Sequence, residues 1–151
     1  VCACVCARAC VFVMRVYIQV LPATLAQNTR LRRLILFDNL LEGPIPATFQ
    51  SLLALQRLVL SGNSLTGPLP AWLGQLTQLE MIILNDNLLH GEIPHQLGAL
   101  SKLSHLFVHN NKLHGRVPPE IMEEPAPAYV YVNGKAQPWR LTFDDVPPDQ
   151  V

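Results

Sequence analysis

One 24-residue phrase, written four times in succession, constrains this chain more than anything in its composition. Leu31 returns as Leu55, Leu79 and Leu103; Asn39 returns as Asn63, Asn87 and Asn111; Pro46 returns as Pro70, Pro94 and Pro118. A fixed period of this size predicts a stacked solenoid, in which each unit buries its apolar edge only against its neighbours. Such a chain is built to display a surface.

The first complete unit carries Leu31, Leu34, Leu36, Asn39, Leu41, Gly43, Ile45, Pro46, Phe49 and Leu52 at its marked positions, and the next three repeat those types. Leu34 and Leu36 alternate with Arg33, Ile35 and Phe37, the period of two that belongs to a short strand with one buried face. Stacked units place these strands side by side, about 4.8 Å apart, in a parallel sheet. Each buried leucine contributes roughly 1.5–3 kcal/mol before ordering entropy is subtracted, so the array folds where one unit is marginal. Asn39, Asn63, Asn87 and Asn111 follow the strands as a structural ladder, satisfying backbone groups left open where the chain turns. The glycine of each unit suits a backbone that side chains resist, and the proline closes an extended segment. Residues 49–52, 73–76 and 97–100 then space apolar side chains three apart, as in a short helical turn.

This L-x-x-L-x-L-x-x-N-x-L pattern with L-x-G-x-I-P following at once resembles the plant-type leucine-rich repeat. The resemblance covers residues 31–121, and a half unit precedes it, with Leu21, Pro22 and Leu25 falling 24 before Ile45, Pro46 and Phe49. It implies an α/β solenoid: a right-handed superhelix with a parallel concave β-sheet, a second small sheet and short convex helical turns. It also implies receptor-like or inhibitor-like relatives and an extracellular or cell-surface location. Arg15 stands where a ladder asparagine belongs, so the chain before Leu21 departs from the pattern.

The expected layout is an atypical apolar cysteine-rich segment over 1–20, the repeats over 21–121 and a C-terminal cap or tail over 122–151. Beyond Ile121 the period stops. Tyr129, Val130, Tyr131 and Val132 followed by Asn133 and Gly134 read as a hairpin, with Trp139, Leu141 and Phe143 on the return strand. Terminal units must shield exposed core edges, so this hairpin is expected to act as a cap. The chain begins at Val1 rather than methionine, as expected of a processed product or a fragment of a longer gene product.

Eleven lysines and arginines balance eleven aspartates and glutamates, so the global field gives no reason to expect nucleic acid or an anionic membrane as partner. Cys2, Cys4, Cys6 and Cys10 crowd the first ten residues and cannot staple the repeats. Their spacing also lacks the paired two-residue steps of a zinc ribbon.

Strands repeating in register line their outward side chains up as columns. One column is Arg33, Arg57, Met81 and His105; the next is Ile35, Val59, Ile83 and Phe107; the third is Phe37, Ser61, Asn85 and His109. The middle column is apolar although it faces solvent, and its rim is polar, which is what a protein or peptide contact surface needs. These twelve residues are the candidate partner-binding site. Strand propensity alone accounts for β-branched residues there, but not for the added aromatic area of Phe37 and Phe107.

All five histidines, His90, His95, His105, His109 and His114, fall in the last two units. His105 and His109 lie about 13 Å apart along one strand face, too far to share an ion. His90 and His114, 24 apart, are expected to stack on adjacent coils but lack further ligands. No metal and no cofactor is therefore expected, and a pH response of binding through His105 and His109 is the better use of these side chains. There is no nucleophile motif, P-loop or dinucleotide turn; Asp144 and Asp145 lie in the tail, while Asp38 and Asp86 sit two coils apart. The expected function is non-enzymatic recognition of a protein or peptide on the concave face. The alternative is a structural scaffold segment of a longer repeat array or receptor-like kinase ectodomain.

Overall fold

The computed structural model describes residues 19–122, 129–132 and 135–136. Residues 1–18, which hold the four cysteines, and Trp139, Leu141 and Phe143 of the expected return strand lie outside the described residues. In chain order the elements are β1 (Arg33–Ile35), β2 (Glu42–Gly43), β3 (Arg57–Val59), β4 (Ser64–Leu65), β5 (Met81–Ile83), β6 (His90–Gly91), β7 (His105–Phe107), β8 (Lys112–Leu113), α1 (Pro119–Met122), β9 (Tyr129–Val132) and β10 (Lys135–Ala136).

The two-residue alternation becomes strands β1, β3, β5, β7 and β9, hydrogen-bonded in that order into one parallel sheet. Their register is the sequence period itself: Leu34 stands opposite Leu58, Leu58 opposite Ile82, and Ile82 opposite Leu106. Those four side chains are buried, as are Leu60, Leu84 and Val108 two residues on. Leu36, in the first coil, is only half-buried because fewer neighbours cover it.

Each proline ends the extended segment and starts a 3-10 turn on the convex side: Pro22 before Ala23–Gln27, Pro46 before Ala47–Ser51, Pro70 before Ala71–Gln75, and Pro94 before His95–Ala99. A residue locked near φ −65° and lacking an N–H suits this position. In the fourth coil α1 occupies the same place after Pro118. The turns begin two residues earlier than the apolar spacing alone indicates, and bury Phe49, Leu73, Leu97 and Ile121 as one inner row. Adjacent turns touch through glycine. A Cβ on Gly74 would lie 2.2 Å from the carbonyl oxygen of Gln96, and one on Gly98 would lie 2.6 Å from that of Glu120.

Of the expected hairpin, the first strand is β9, and it pairs antiparallel with β10, with Lys135 opposite Val132. Its first strand does more than close the end. It takes the next parallel place in the sheet, with Leu106 opposite Val130 and Phe107 opposite Tyr131. Val130 is buried where the previous coil has Leu106.

The second sheet consists of two separate parallel pairs, β2 with β4 and β6 with β8, linked by a single bridge between Pro68 and His90, and it follows a different count. Glu42 stands opposite Ser64, and His90 opposite Lys112, an offset of 22 rather than 24. The slip occurs across the ladder turn, where one residue of each coil takes left-handed φ: Asp38, Gly62, Asp86 and Asn110. The following glycines, Gly43, Gly67, Gly91 and Gly115, also hold φ between 78° and 85°, which only a residue without Cβ adopts freely.

A candidate recognition face

Side chains at the odd positions of each strand point away from the leucine core. The register places Arg33, Arg57, Met81 and His105 in one column and Ile35, Val59, Ile83 and Phe107 in the next. Backbone bonds from Asp38 to Ser61, Gly62 to Asn85 and Asp86 to His109 carry the alignment one step further, so Phe37, Ser61, Asn85 and His109 form the third. All twelve predicted residues thus share one face. The apolar four of the middle column are half-buried, Phe37 is 44% exposed, and Arg57 is exposed.

Tyr131 extends the middle column by a fifth row, a residue the sequence reading left in the cap. Its ring meets Phe107 edge-on at 4.8 Å between centroids, and His109 at 5.9 Å. His105 packs edge-on against Phe107 at 5.8 Å, closing an aromatic cluster over the last two coils. The signal that finds Tyr131 is arithmetic: it lies 24 residues after Phe107.

The asparagine ladder holds this face from behind. Asn87 is 5% exposed; its amide nitrogen donates to the carbonyls of Leu60 at 2.9 Å, Leu84 at 3.2 Å and Asn85 at 3.2 Å, and its oxygen accepts from Leu65 N–H at 2.9 Å. Asn63 and Asn111 repeat the pattern one coil away on either side. Asn39, in the first coil, donates to Leu36 and Phe37 of its own turn.

The electrostatics differ between the two ends. At the first coils, Arg33 and Arg57 make no ion pair among the described residues; in the last two coils, just past β6 and β8, His114 Nδ1 lies 3.9 Å from a Glu92 carboxylate oxygen. Toward the last coils, burial pushes the His105 imidazole below its ordinary value, and the Arg57 charge lowers it further. The Asn110 amide holds the Asp86 carboxyl below the usual carboxylate range; burial opposes this, while Asn85 and the His109 ring add to it. His109 Nδ1 is buried without a hydrogen-bond partner.

The hydroxyl of Ser104 lies 2.8 Å from His105 Nδ1, a contact that sequence reasoning missed. The same hydroxyl donates its proton to the carbonyl of Glu80 at 2.8 Å, so it accepts from the ring. With its proton directed at a carbonyl, Ser104 is not arranged as a nucleophile facing a base.

One histidine expectation is corrected. His90 and His114 do not stack: the 22-residue offset of the second sheet puts His90 opposite Lys112 and brings His114 to Glu92. Among the described residues no group of three or more potential metal ligands comes together, and no helix is long and apolar enough to cross a membrane.

A family model described as leucine rich repeat matches residues 29–89. Among solved structures, the chain is similar to a plant peptide hormone receptor, RGFR1 in complex with RGF2, at 35% identity and a TM-score of 0.66 over 68% of this chain. It is similar to the BIR3–SERK2 complex from Arabidopsis thaliana at 38% identity and a TM-score of 0.65 over 68% of this chain. A plant ice-binding protein matches at 35% identity and a TM-score of 0.65, again over 68%. The chain spans 16%, 55% and 33% of the lengths of those three chains respectively. No curated protein matches it.

Proposed function

The chain is a leucine-rich-repeat protein of the plant type, and on that premise we propose that it recognises a protein or peptide on its concave sheet. The observation that carries this reading is the unbroken apolar row Ile35, Val59, Ile83, Phe107 and Tyr131, set between polar columns. A desolvatable centre inside a polar rim is the composition of a binding interface. Two similar structures support the occupant's class, since RGFR1 was solved with a peptide hormone ligand and BIR3 with a protein partner. The ice-binding neighbour shows that the scaffold by itself does not choose a ligand, so the side chains in the columns must. The function is non-enzymatic in this reading: the columns carry no paired carboxylates, and Ser104 is turned away from nucleophilic use.

A scaffold role within a longer array or receptor-like kinase ectodomain has its own support, the small share of the hormone receptor's length that the chain spans. One experiment separates the two. Immobilised parent chain and the double variant Ile83→Glu, Phe107→Glu are compared for capture of proteins and peptides from source-tissue extract, with thermal unfolding measured in parallel. Recognition predicts lost capture at an unchanged unfolding temperature; unchanged capture, or loss of folding and assembly, favours the scaffold.

A further inference from the structure

The concave face has two chemically different ends. Arg33 and Arg57 stand opposite one another on β1 and β3, about 4.8 Å apart, and no carboxylate among the described residues pairs with either. That spacing is between backbones, and two arginines on neighbouring strands can both reach one carboxylate, each guanidinium donating to it. The three columns themselves hold no acid; Glu80 precedes Met81, and Asp38 and Asp86 lie beyond the third column in the ladder turn. At the other end, Phe107 and Tyr131 offer an edge-to-face pair whose rings remain half-exposed. Val59 and Ile83 bridge the ends as an apolar floor.

From this asymmetry we infer that the partner is an extended acidic peptide lying across the strands, with a carboxylate on Arg33 and Arg57 and an aromatic or bulky apolar side chain on Phe107 and Tyr131. The inference rests on the concave-face reading and adds the ligand's chemistry and spacing to it. From the β3 row to the β9 row is three strand spacings, about 14 Å, which an extended peptide covers in about four residues. A unit charge at one end and a ring at the other also fix the direction in which the peptide lies. The electrostatic end steers and orients it, and the aromatic end supplies the area removed from water.

The test uses a phage-displayed library of random heptapeptides panned on the whole chain, with enriched sequences resynthesised and titrated calorimetrically. Enriched peptides are expected to carry Asp or Glu three to five positions from an aromatic residue, by the about four-residue span above. Changing that acid to its amide should weaken binding about tenfold, and Arg57→Gln should weaken it equally while abolishing the effect of the peptide change. Tyr131→Ala should couple in the same way to the peptide's ring. Thermal unfolding of Arg33→Gln and Arg57→Gln checks that these variants remain folded. Peptides that lack the acid yet lose binding with Ile83→Glu and Phe107→Glu overturn the two-ended ligand and leave the concave face standing. Peptides indifferent to those substitutions overturn both, and a library without enrichment overturns the short-peptide occupant.

Discussion

The inner and outer faces of the concave sheet are made by the same strands, but the coils agree on one and differ on the other. Inward, the positions read Leu34, Leu58, Ile82, Leu106 and Val130, all buried aliphatics. Outward, one residue away, they read Arg33, Arg57, Met81 and His105 in one column and change from Phe37 to His109 in another. The ladder reads Asn in every one of four coils. The repeats thus serve as an alignment of the chain with itself. Agreement marks what backbone and core demand of every coil, and disagreement marks where the fold is indifferent.

The comparison breaks first at the inner face. Leu84→Ala removes a fully buried side chain and is expected to cost about 2–5 kcal/mol in urea unfolding, whereas Ile83→Ala beside it should cost about 1 kcal/mol or less. Equal losses at the two positions would erase the distinction between core and display. The ladder should come next. Asn87→Ala orphans the buried Leu65 N–H and removes one of the two amide donors to the Leu60 carbonyl, and should cost about 2–4 kcal/mol, measured the same way, while Asn39→Ala at a more exposed rung should cost about 1 kcal/mol.

The convex side sharpens the contrast at smaller cost. Gly98→Ala drives a methyl against the Glu120 backbone and should destabilise by about 1–3 kcal/mol, while Gln50→Ala, at the same place two coils earlier, should be nearly neutral by thermal unfolding. The smallest expected effect is a pH dependence. Burial and Arg57 disfavour the charged form of His105 in the folded chain, so the unfolded chain binds that proton more readily. Its contribution is complete above the ordinary value of 6.5 and is lost as pH falls through that value toward the lowered folded one. His105→Gln should therefore narrow the difference between urea midpoints at pH 7.5 and 5.5.

Most of the scaffold was legible because its causes are local and repeated. The alternation around Leu34 gave the strand, the prolines gave the ends of the extended segments though the turns begin two residues before the expected stretch, and the shared spacing gave the register of Ile35, Val59, Ile83 and Phe107. The fifth row was harder to see because its coil keeps only part of the pattern. Val130 and Val132 match Leu106 and Val108, but Lys135 stands where the ladder asparagine belongs. The pairing of the second sheet was not legible at all. Nothing in a strict 24-residue period indicates that the chain slips by two residues after a left-handed turn, which is why His114 meets Glu92 and not His90. The edge-on contact of Phe107 with Tyr131 required both the fifth strand and its rotamers, and only coordinates supply the second.

The amides of Asn63, Asn87 and Asn111 each tie their own coil to a carbonyl 27 residues back and an N–H 22 residues back. These two reaches tolerate no partial period. A deletion of one whole coil from the coding sequence delivers every remaining asparagine to an equivalent pair of groups, whereas the loss of a few codons within a coil strands the amides on both sides of the scar. Growth and shrinkage of such a chain therefore proceed in whole modules, and each module gained or lost adds or removes one row of outward side chains.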